Sequence, residues 1–304
     1  MLYDVIIIGA GSAGYAAGIY ATRFGMKTLL MGKEPGGQVN EAYEIDNYPG
    51  FLGISGIDLM TKFREHAEKL GVELVTSEAI DIGKKGKGFA VKTRDKEFGG
   101  KSVIFATGSR KGKLGLPNEK ELTGKGVAYC ATCDAMFFRD KVVGVLGGGN
   151  AAVKSALLLT EHAKKVYLVY RKEKKDMRAM PGVMKKAGGN KKIEMVFRAV
   201  PKELRGKDRL ESVVFEREGK DLEIKMNGVF VEIGWLPENT LAKKLGVSLD
   251  ERGKINVGND MSTSVEGVFA AGDITNGSNG MEQIVTSCAE GSIASESAYN
   301  YVKK

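Results

Sequence analysis

Tyr3-Asp-Val-Ile-Ile-Ile-Gly9-Ala-Gly11-Ser-Ala-Gly14 is the stretch on which the fold turns. Residues 3–8 are apolar and rich in β-branched side chains, as in a strand buried on both faces. Glycines at 9, 11 and 14 then let the backbone turn tightly and approach a pyrophosphate. The Ala-rich run 15–25 reads as a helix closed near Gly25, and Lys27-Thr-Leu-Leu-Met31 as the next strand. Strand, glycine turn, helix and strand make a βαβ unit, which predicts a parallel sheet. Between strand and helix, the box aims free N–H groups and the positive end of the helix at phosphates, which predicts a bound dinucleotide. Glu34 is the candidate acid for a ribose hydroxyl, with an exposed loop charge as the other reading.

The order recurs 138 residues later. Residues 141–146 read as a strand, Gly147-Gly-Gly149-Asn-Ala-Ala152 as the turn, 151–163 as a helix and 165–170 as the next strand. Where an acid would hold a free ribose hydroxyl, this unit has Tyr170-Arg171-Lys172, with Arg178 shortly after. A basic end suits an additional 2′-phosphate, so the spacing favours NADP over NAD; a solvated basic loop is the other reading. Residues 88–93, 101–107, 211–217 and 228–234 read as strands. Residues 59–70 have helical periodicity, 263–273 read as a strand ending in Gly-Asp, and 281–302 as a closing helix.

Composition bounds the function. With 304 residues, 42% hydrophobic and 28% charged, the chain suits about two globular domains. No apolar stretch reaches the roughly 18–20 residues of a membrane span, and the start lacks a basic leader, so a cytoplasmic protein is expected. Residues 115–244 hold 26 Lys and Arg against 17 Asp and Glu, whereas the remainder holds 20 against 21. The net charge of +8 is therefore central, either a solvated surface or a segment that meets an anion. No zinc finger, RNP box or basic helix with interleaved aromatics accompanies it, so no nucleic-acid partner is expected.

Cys130-Ala-Thr-Cys133-Asp134 carries the sharpest chemistry. Two thiols two residues apart close a readily reduced disulfide, and the motif can lower a thiol pKa. Thiolate attack through a mixed disulfide passes electrons on, and the adjacent acid can move the accompanying proton. A zinc half-site and a pair of inert buried cysteines are the alternatives. With 3 Cys and 2 His in the chain, and no second CxxC, four metal ligands are hard to assemble. Cys288 falls in the apolar pattern of the last helix and reads as a small core residue.

Over nearly its whole length the sequence resembles the low-molecular-weight thioredoxin reductase family. The resemblance rests on Gly9-x-Gly11-x-x-Gly14, Gly36-Gly37-Gln38, Glu44-x-x-Asn47-Tyr48-Pro49-Gly50, Ala106-Thr-Gly108, the CxxC-Asp motif, the second glycine box and Gly267-x-x-Ala270-Ala-Gly272-Asp273. It implies an α/β fold of two Rossmann-like, three-layer dinucleotide-binding domains, the second inserted into the first. An FAD domain (1–114 and 245–304) would flank a nicotinamide domain (115–244) carrying the CxxC. It implies a homodimer in which the domains rotate, and FAD that passes electrons from NADPH to the disulfide and on to thioredoxin or a similar protein. Cys133 would face the flavin, Cys130 would attack the partner disulfide, and Asp134 would be the acid/base. Gly9, Gly11 and Gly14 would seat the FAD pyrophosphate, with Gly37, Gln38, Asn47, Asp273 and Gln283 on other FAD groups. Gly147, Gly149, Ala152, Arg171, Lys172 and Arg178 would hold NADPH.

The chain departs from the family at informative positions. NADPH-using members usually show His-Arg-Arg, three residues, then Arg-Ala; here Tyr170-Arg171-Lys172 is followed by five residues and then Arg178-Ala179. Lys154 stands where Glu is usual, Glu282 where Arg is common and Trp235 where His is common. Lys in place of Arg loses the bidentate fork. NADPH with reduced selectivity, NADH, ferredoxin and a reduced deazaflavin thus all stand as donors.

Overall fold

The computed structural model describes residues 2–42 and 44–304; Met1, which falls in the first sequence-derived segment, and Tyr43 lie outside it. The chain forms two compact units, an outer one of Met1–Arg110 and Leu236–Lys304 and an inner one of Lys111–Trp235. The outer unit begins with β1 (Leu2–Ile8), α1 (Ser12–Arg23), β2 (Thr28–Met31), α2 (Gly56–Lys69), β3 (Glu73–Val75), β4 (Asp81–Lys85), β5 (Gly88–Lys92) and β6 (Glu97–Phe105). The chain then passes through β7 (Ser109–Lys111). The inner unit holds α3 (Glu119–Leu122), β8 (Val127–Ala128), α4 (Ala131–Asp134), β9 (Val142–Leu146), α5 (Asn150–Leu159), β10 (Lys165–Tyr170) and α6 (Pro181–Gly188). It continues with β11 (Ile193–Phe197), β12 (Ala199–Arg205), β13 (Ser212–Arg217), β14 (Lys220–Lys225) and β15 (Gly228–Val231). The return runs through β16 (Trp235–Pro237) to α7 (Thr240–Lys244), β17 (Val268–Ala270) and α8 (Ile284–Lys303).

The outer sheet has the order β3-β2-β1-β6-β5-β4, with β17 also on β6. β1 is parallel to β2, Ile8 opposite Met31, and parallel to β6, Ile8 opposite Phe105. β6 divides its other edge: residues 97–100 pair antiparallel with β5, and 103–105 pair parallel with β17. Val5 and Ile7 pack into a core with α1, α2 and α8, while Ile6 and Ile8 pack into a second core with Leu29, Val103 and Phe105. Both faces of β1 are thus covered, which is why residues 5–8 run apolar without alternation. Fully burying each such side chain stabilises the fold by about 1.5–3 kcal/mol.

The inner unit contains a parallel sheet, β11-β10-β9-β15-β8, and an antiparallel one, β12-β13-β14. The architecture is α/β, with two Rossmann-like units and the second nested in the sequence of the first.

Several boundaries differ from the sequence reading. α1 starts at Ser12 rather than 15, because the helix begins inside the glycine box. α5 ends at Leu159, not 163, and α8 starts at Ile284 after a cap in which Gln283 and Thr286 bond reciprocally. Of residues 263–273 only Val268–Ala270 is strand, since its parallel pairing is limited to residues 103–105 of β6.

Candidate functional site

The two glycine boxes are built alike. Gly9 has φ +119°, and a Cβ there would lie 2.1 Å from the Ala106 carbonyl oxygen; Gly147 has φ +148°, with the Glu232 carbonyl oxygen at 2.2 Å. Both positions are left-handed or close-packed and need glycine. The middle glycines, Gly11 and Gly149, would meet nothing within 4 Å, so the backbone there is open to a ligand. At the third position the boxes part. A Cβ on Gly14 would lie 1.8 Å from the Gly9 carbonyl oxygen, whereas the second box carries the Cβ of Ala152. α1 and α5 begin directly on Gly11 and Gly149, so their first N–H groups meet the loops.

Over the first box lies a cavity of about 600 Å³, inside the range of about 300–1,000 Å³ of ligand sites. Gly9, Gly11, Glu34, Gly37, Gln38 and Asp273 line it. Gly14 lies beneath, in α1. Glu34 is exposed at the wall. The Gln38 side-chain amide donates to the Ser109 carbonyl. Asn47 and Gln283, 236 residues apart, meet in a 2.8 Å hydrogen bond from Asn47 Nδ2 to Gln283 Oε1, off the wall of this cavity. An open middle glycine, a helix start and a cavity of this volume fit a dinucleotide such as FAD.

Sequence reasoning missed Lys254 and Glu290, which with Asp273 and Glu282 line a small separate recess. Burial, then the nearby Glu282 carboxylate, raise the Asp273 pKa, while a Ser287 hydroxyl bond and Lys254 oppose them. Lys254, nearly buried, pairs with Glu282 at 2.5 Å. Glu290, buried in α8, accepts from the Gly272 N–H at 2.8 Å and the Thr275 hydroxyl at 2.9 Å. Nothing local in the sequence marks either residue; Glu290 is one acid on a mixed helix. Cys288 is half-buried rather than core, its thiol pushed up to about 11 by burial.

At the second box the loop after β10 is tied down. Arg178 N–H donates to the Gly148 carbonyl at 2.8 Å, and Met180 N–H to the Asn150 side chain at 2.7 Å. Glu173 and Asp176 cap each other's turn. Arg198 bridges Glu173 and Glu218, both at 2.6 Å. By contrast the side chains of Arg171, Lys172 and Arg178 are exposed and enter no ion pair among the described residues. Lys174, between them, is exposed and unpaired among the described residues as well, so the loop presents a cluster of free cations.

Cys130 and Cys133 are joined as a disulfide with Cα atoms 5.3 Å apart. Cys130 caps α4, its Sγ accepting the Cys133 N–H at 3.1 Å. Cys133 is exposed and Cys130 half-buried. Half-buried Asp134 follows, its N–H bonded to the Cys130 carbonyl at 3.1 Å. Burial raises its pKa, and the Lys111 ammonium works against that rise. That ammonium donates to the Tyr129 carbonyl and lies 5.3 Å from the Trp235 ring centre. Once reduced, an accessible cysteine pair beside a carboxyl whose pKa burial raises can attack another disulfide as a thiolate.

Comparison with known proteins points the same way. Residues 3–291 match the family model described as pyridine nucleotide-disulphide oxidoreductase. The chain is 42% identical over 309 residues to a thioredoxin reductase of Bacillus subtilis (strain 168), covering all of this chain and 96% of that one. It is 41% identical over 312 residues to a thioredoxin reductase of Peptoclostridium acidaminophilum, covering 99% and 98%. The crystal structure of Lactococcus lactis thioredoxin reductase superposes with a TM-score of 0.92 at 39% identity, covering 99% of both chains.

Proposed function

The chain belongs to the pyridine nucleotide-disulphide oxidoreductase family, among its thioredoxin reductases, and from that premise we propose how its own residues divide the work. The observation that carries the reading is the accessible Cys130–Cys133 disulfide with Asp134, its pKa raised by burial, beside it. The outer unit is the FAD domain: Gly9 and Gly14 shape the turn, and Gly11 gives the pyrophosphate its approach. Glu34, Gly37, Gln38, Asn47, Asp273 and Gln283 hold the remaining groups. FAD supplies two-electron hydride chemistry when bound.

Once the disulfide is reduced, Cys130 acts as the attacking thiolate. It bonds to one sulfur of the partner disulfide and releases the other as a thiolate, which takes a proton from Asp134. Cys133 then attacks Cys130 Sγ, restoring the Cys130–Cys133 bond and freeing the second partner thiol. Two electrons leave this dithiol and two enter the partner, which is thioredoxin or a similar small redox protein. Cys133 is the sulfur that receives electrons from the flavin side. Cys130→Ser tests this order: the free Cys133 thiolate is expected to give a long-wavelength absorption band with FAD. A band in Cys133→Ser but not in Cys130→Ser would reverse the assignment.

The inner unit takes NADPH as donor, with Gly147, Gly149 and Ala152 at the pyrophosphate and Arg171, Lys172 and Arg178 at the 2′-phosphate. These three unpaired cations support this choice. Anaerobic titration with NADPH, NADH and reduced ferredoxin, followed by flavin bleaching, tests it; bleaching by ferredoxin alone would refute it. The protein works as a homodimer in the cytoplasm. No helix among the described residues is long and apolar enough to cross a membrane.

A further inference from the structure

The two boxes of this chain act as each other's control. In the outer unit Ile8 pairs with Met31, and Gly9 N–H donates to the Met31 carbonyl at 2.7 Å. In the inner unit Leu146 pairs with Val169, and Gly147 N–H donates to the Val169 carbonyl at 3.0 Å. The residue that follows this pair is Gly32, just past β2, in one and Tyr170, the last of β10, in the other. Facing it across the loop are Ala10 and Gly148 respectively. A Cβ on Gly32 would lie 2.6 Å from the Ala10 Cβ, and both residues line the open cavity. A Cβ on Gly148 would lie 2.4–2.7 Å from three atoms of the Tyr170 ring. The small–small pair that leaves the first box open is thus replaced by a glycine under an aromatic ring. The ring is also tethered, its hydroxyl donating to the Asp176 carbonyl at 3.0 Å.

We propose that Tyr170 gates the inner unit's nucleotide site and sets how tightly it takes an adenosine phosphate. Its ring takes the place of the adenosine ribose beside the second glycine box, and an adenosine phosphate seats only when the ring swings aside. This rests on the reading that the inner unit binds a nicotinamide dinucleotide. Displacing the ring costs the tether to Asp176 and the packing on Gly148. The ring therefore taxes NADH and NADPH alike, and only the ligand whose phosphate reaches Arg171, Lys172 and Arg178 recovers the loss.

The test uses the flavin-loaded protein and calorimetric titration with two fragments, adenosine 2′,5′-bisphosphate and AMP. Tyr170→Ala is expected to bind both about tenfold more tightly than the natural chain, the equivalent of one hydrogen bond with its packing. Tyr170→Phe keeps the ring over Gly148 and is expected to stay within about threefold of the natural chain. Unchanged or weaker binding in Tyr170→Ala overturns the proposal, as does an equal gain in Tyr170→Phe, which would assign the effect to the tether. If the natural chain binds neither fragment while Tyr170→Ala binds both, the proposal stands and NADPH as the donor falls. Bound FAD and an unchanged unfolding temperature in both variants exclude misfolding as the cause.

Discussion

Burial holds the Asp134 proton to higher pH than an exposed aspartate would, and Lys111 limits the effect. A carboxyl that gives its proton to a leaving thiolate works only while protonated. Reduction of the partner is therefore expected to fall as pH rises through this raised value. Asp134→Asn should lower kcat about 10²-fold and flatten that limb of the pH profile; a profile unchanged in shape would remove Asp134 from the proton path. Glu282 makes a different prediction. Glu282→Gln leaves the nearly buried Lys254 ammonium without its carboxylate and should destabilise the protein by about 1–3 kcal/mol in denaturant unfolding. It also removes a negative charge that raises Asp273, so the Asp273 carboxyl, followed by NMR, should titrate at lower pH. At this scale the sequence is legible where partners are local. Cys130, Cys133 and Asp134 announce themselves within five residues. Lys254 and Glu282 are 28 apart and pair only in the folded chain, so Glu282 stood out as a departure from the family while its partner did not.

Among elements, the first glycine box has the least slack. A Cβ on Gly14 would sit inside van der Waals range of the Gly9 carbonyl oxygen, so Gly14→Ala must push α1 off the turn. The expected result is a protein that loses FAD on gel filtration, while circular dichroism retains its helix and strand content; full FAD retention would contradict the seating role. The same close approach explains a boundary that pattern alone placed late. Gly14 looks like a helix breaker, yet it lies within α1 because only a hydrogen fits there. The parallel strands β1, β2, β6, β9, β10 and β15 were legible as apolar runs, whereas the equally parallel β3, β8 and β11, two to five residues long, were not read. β12 and β14 were not legible either, because charged residues crowd them and leave few apolar positions: residues of β12 are mostly exposed, and pairing with β13 alone defines them. β17 was overread, since a Val-Phe-Ala core is all that β6 has edge left to pair.

On the scale of the molecule, nesting is the dominant fact. Inside the outer unit, Glu238 N–H donates to the Gly108 carbonyl at 3.0 Å, and inside the inner unit Gly112 N–H donates to the Gly234 carbonyl at 2.9 Å. Each unit thus holds its own two chain ends together. Replacing residues 111–235 with a two-glycine link is expected to give a yellow protein with one FAD per chain and no disulfide reductase activity. A colourless product would mean that the outer cavity depends on the inner unit. The sequence places the crossings at 114/115 and 244/245, whereas the units part at 110/111 and 235/236. No change of composition marks either crossing, because β7 and β16 are three-residue strands.

α8 lies so close to α1 that a Cβ on Gly291 would fall 2.3 Å from the Ala13 carbonyl oxygen, and Ser295 Oγ donates to the Ala17 carbonyl at 2.6 Å. The ribosome translates α1 first and α8 more than 250 residues later. The helix we propose to cradle the pyrophosphate therefore waits, one side bare, through nearly the whole of synthesis. On the proposed assignment, lasting flavin capture is expected only after residues 284–303 have cleared the exit tunnel, and a nascent chain stalled before them is expected to bind chaperones at the uncovered Ala13–Ala21 face.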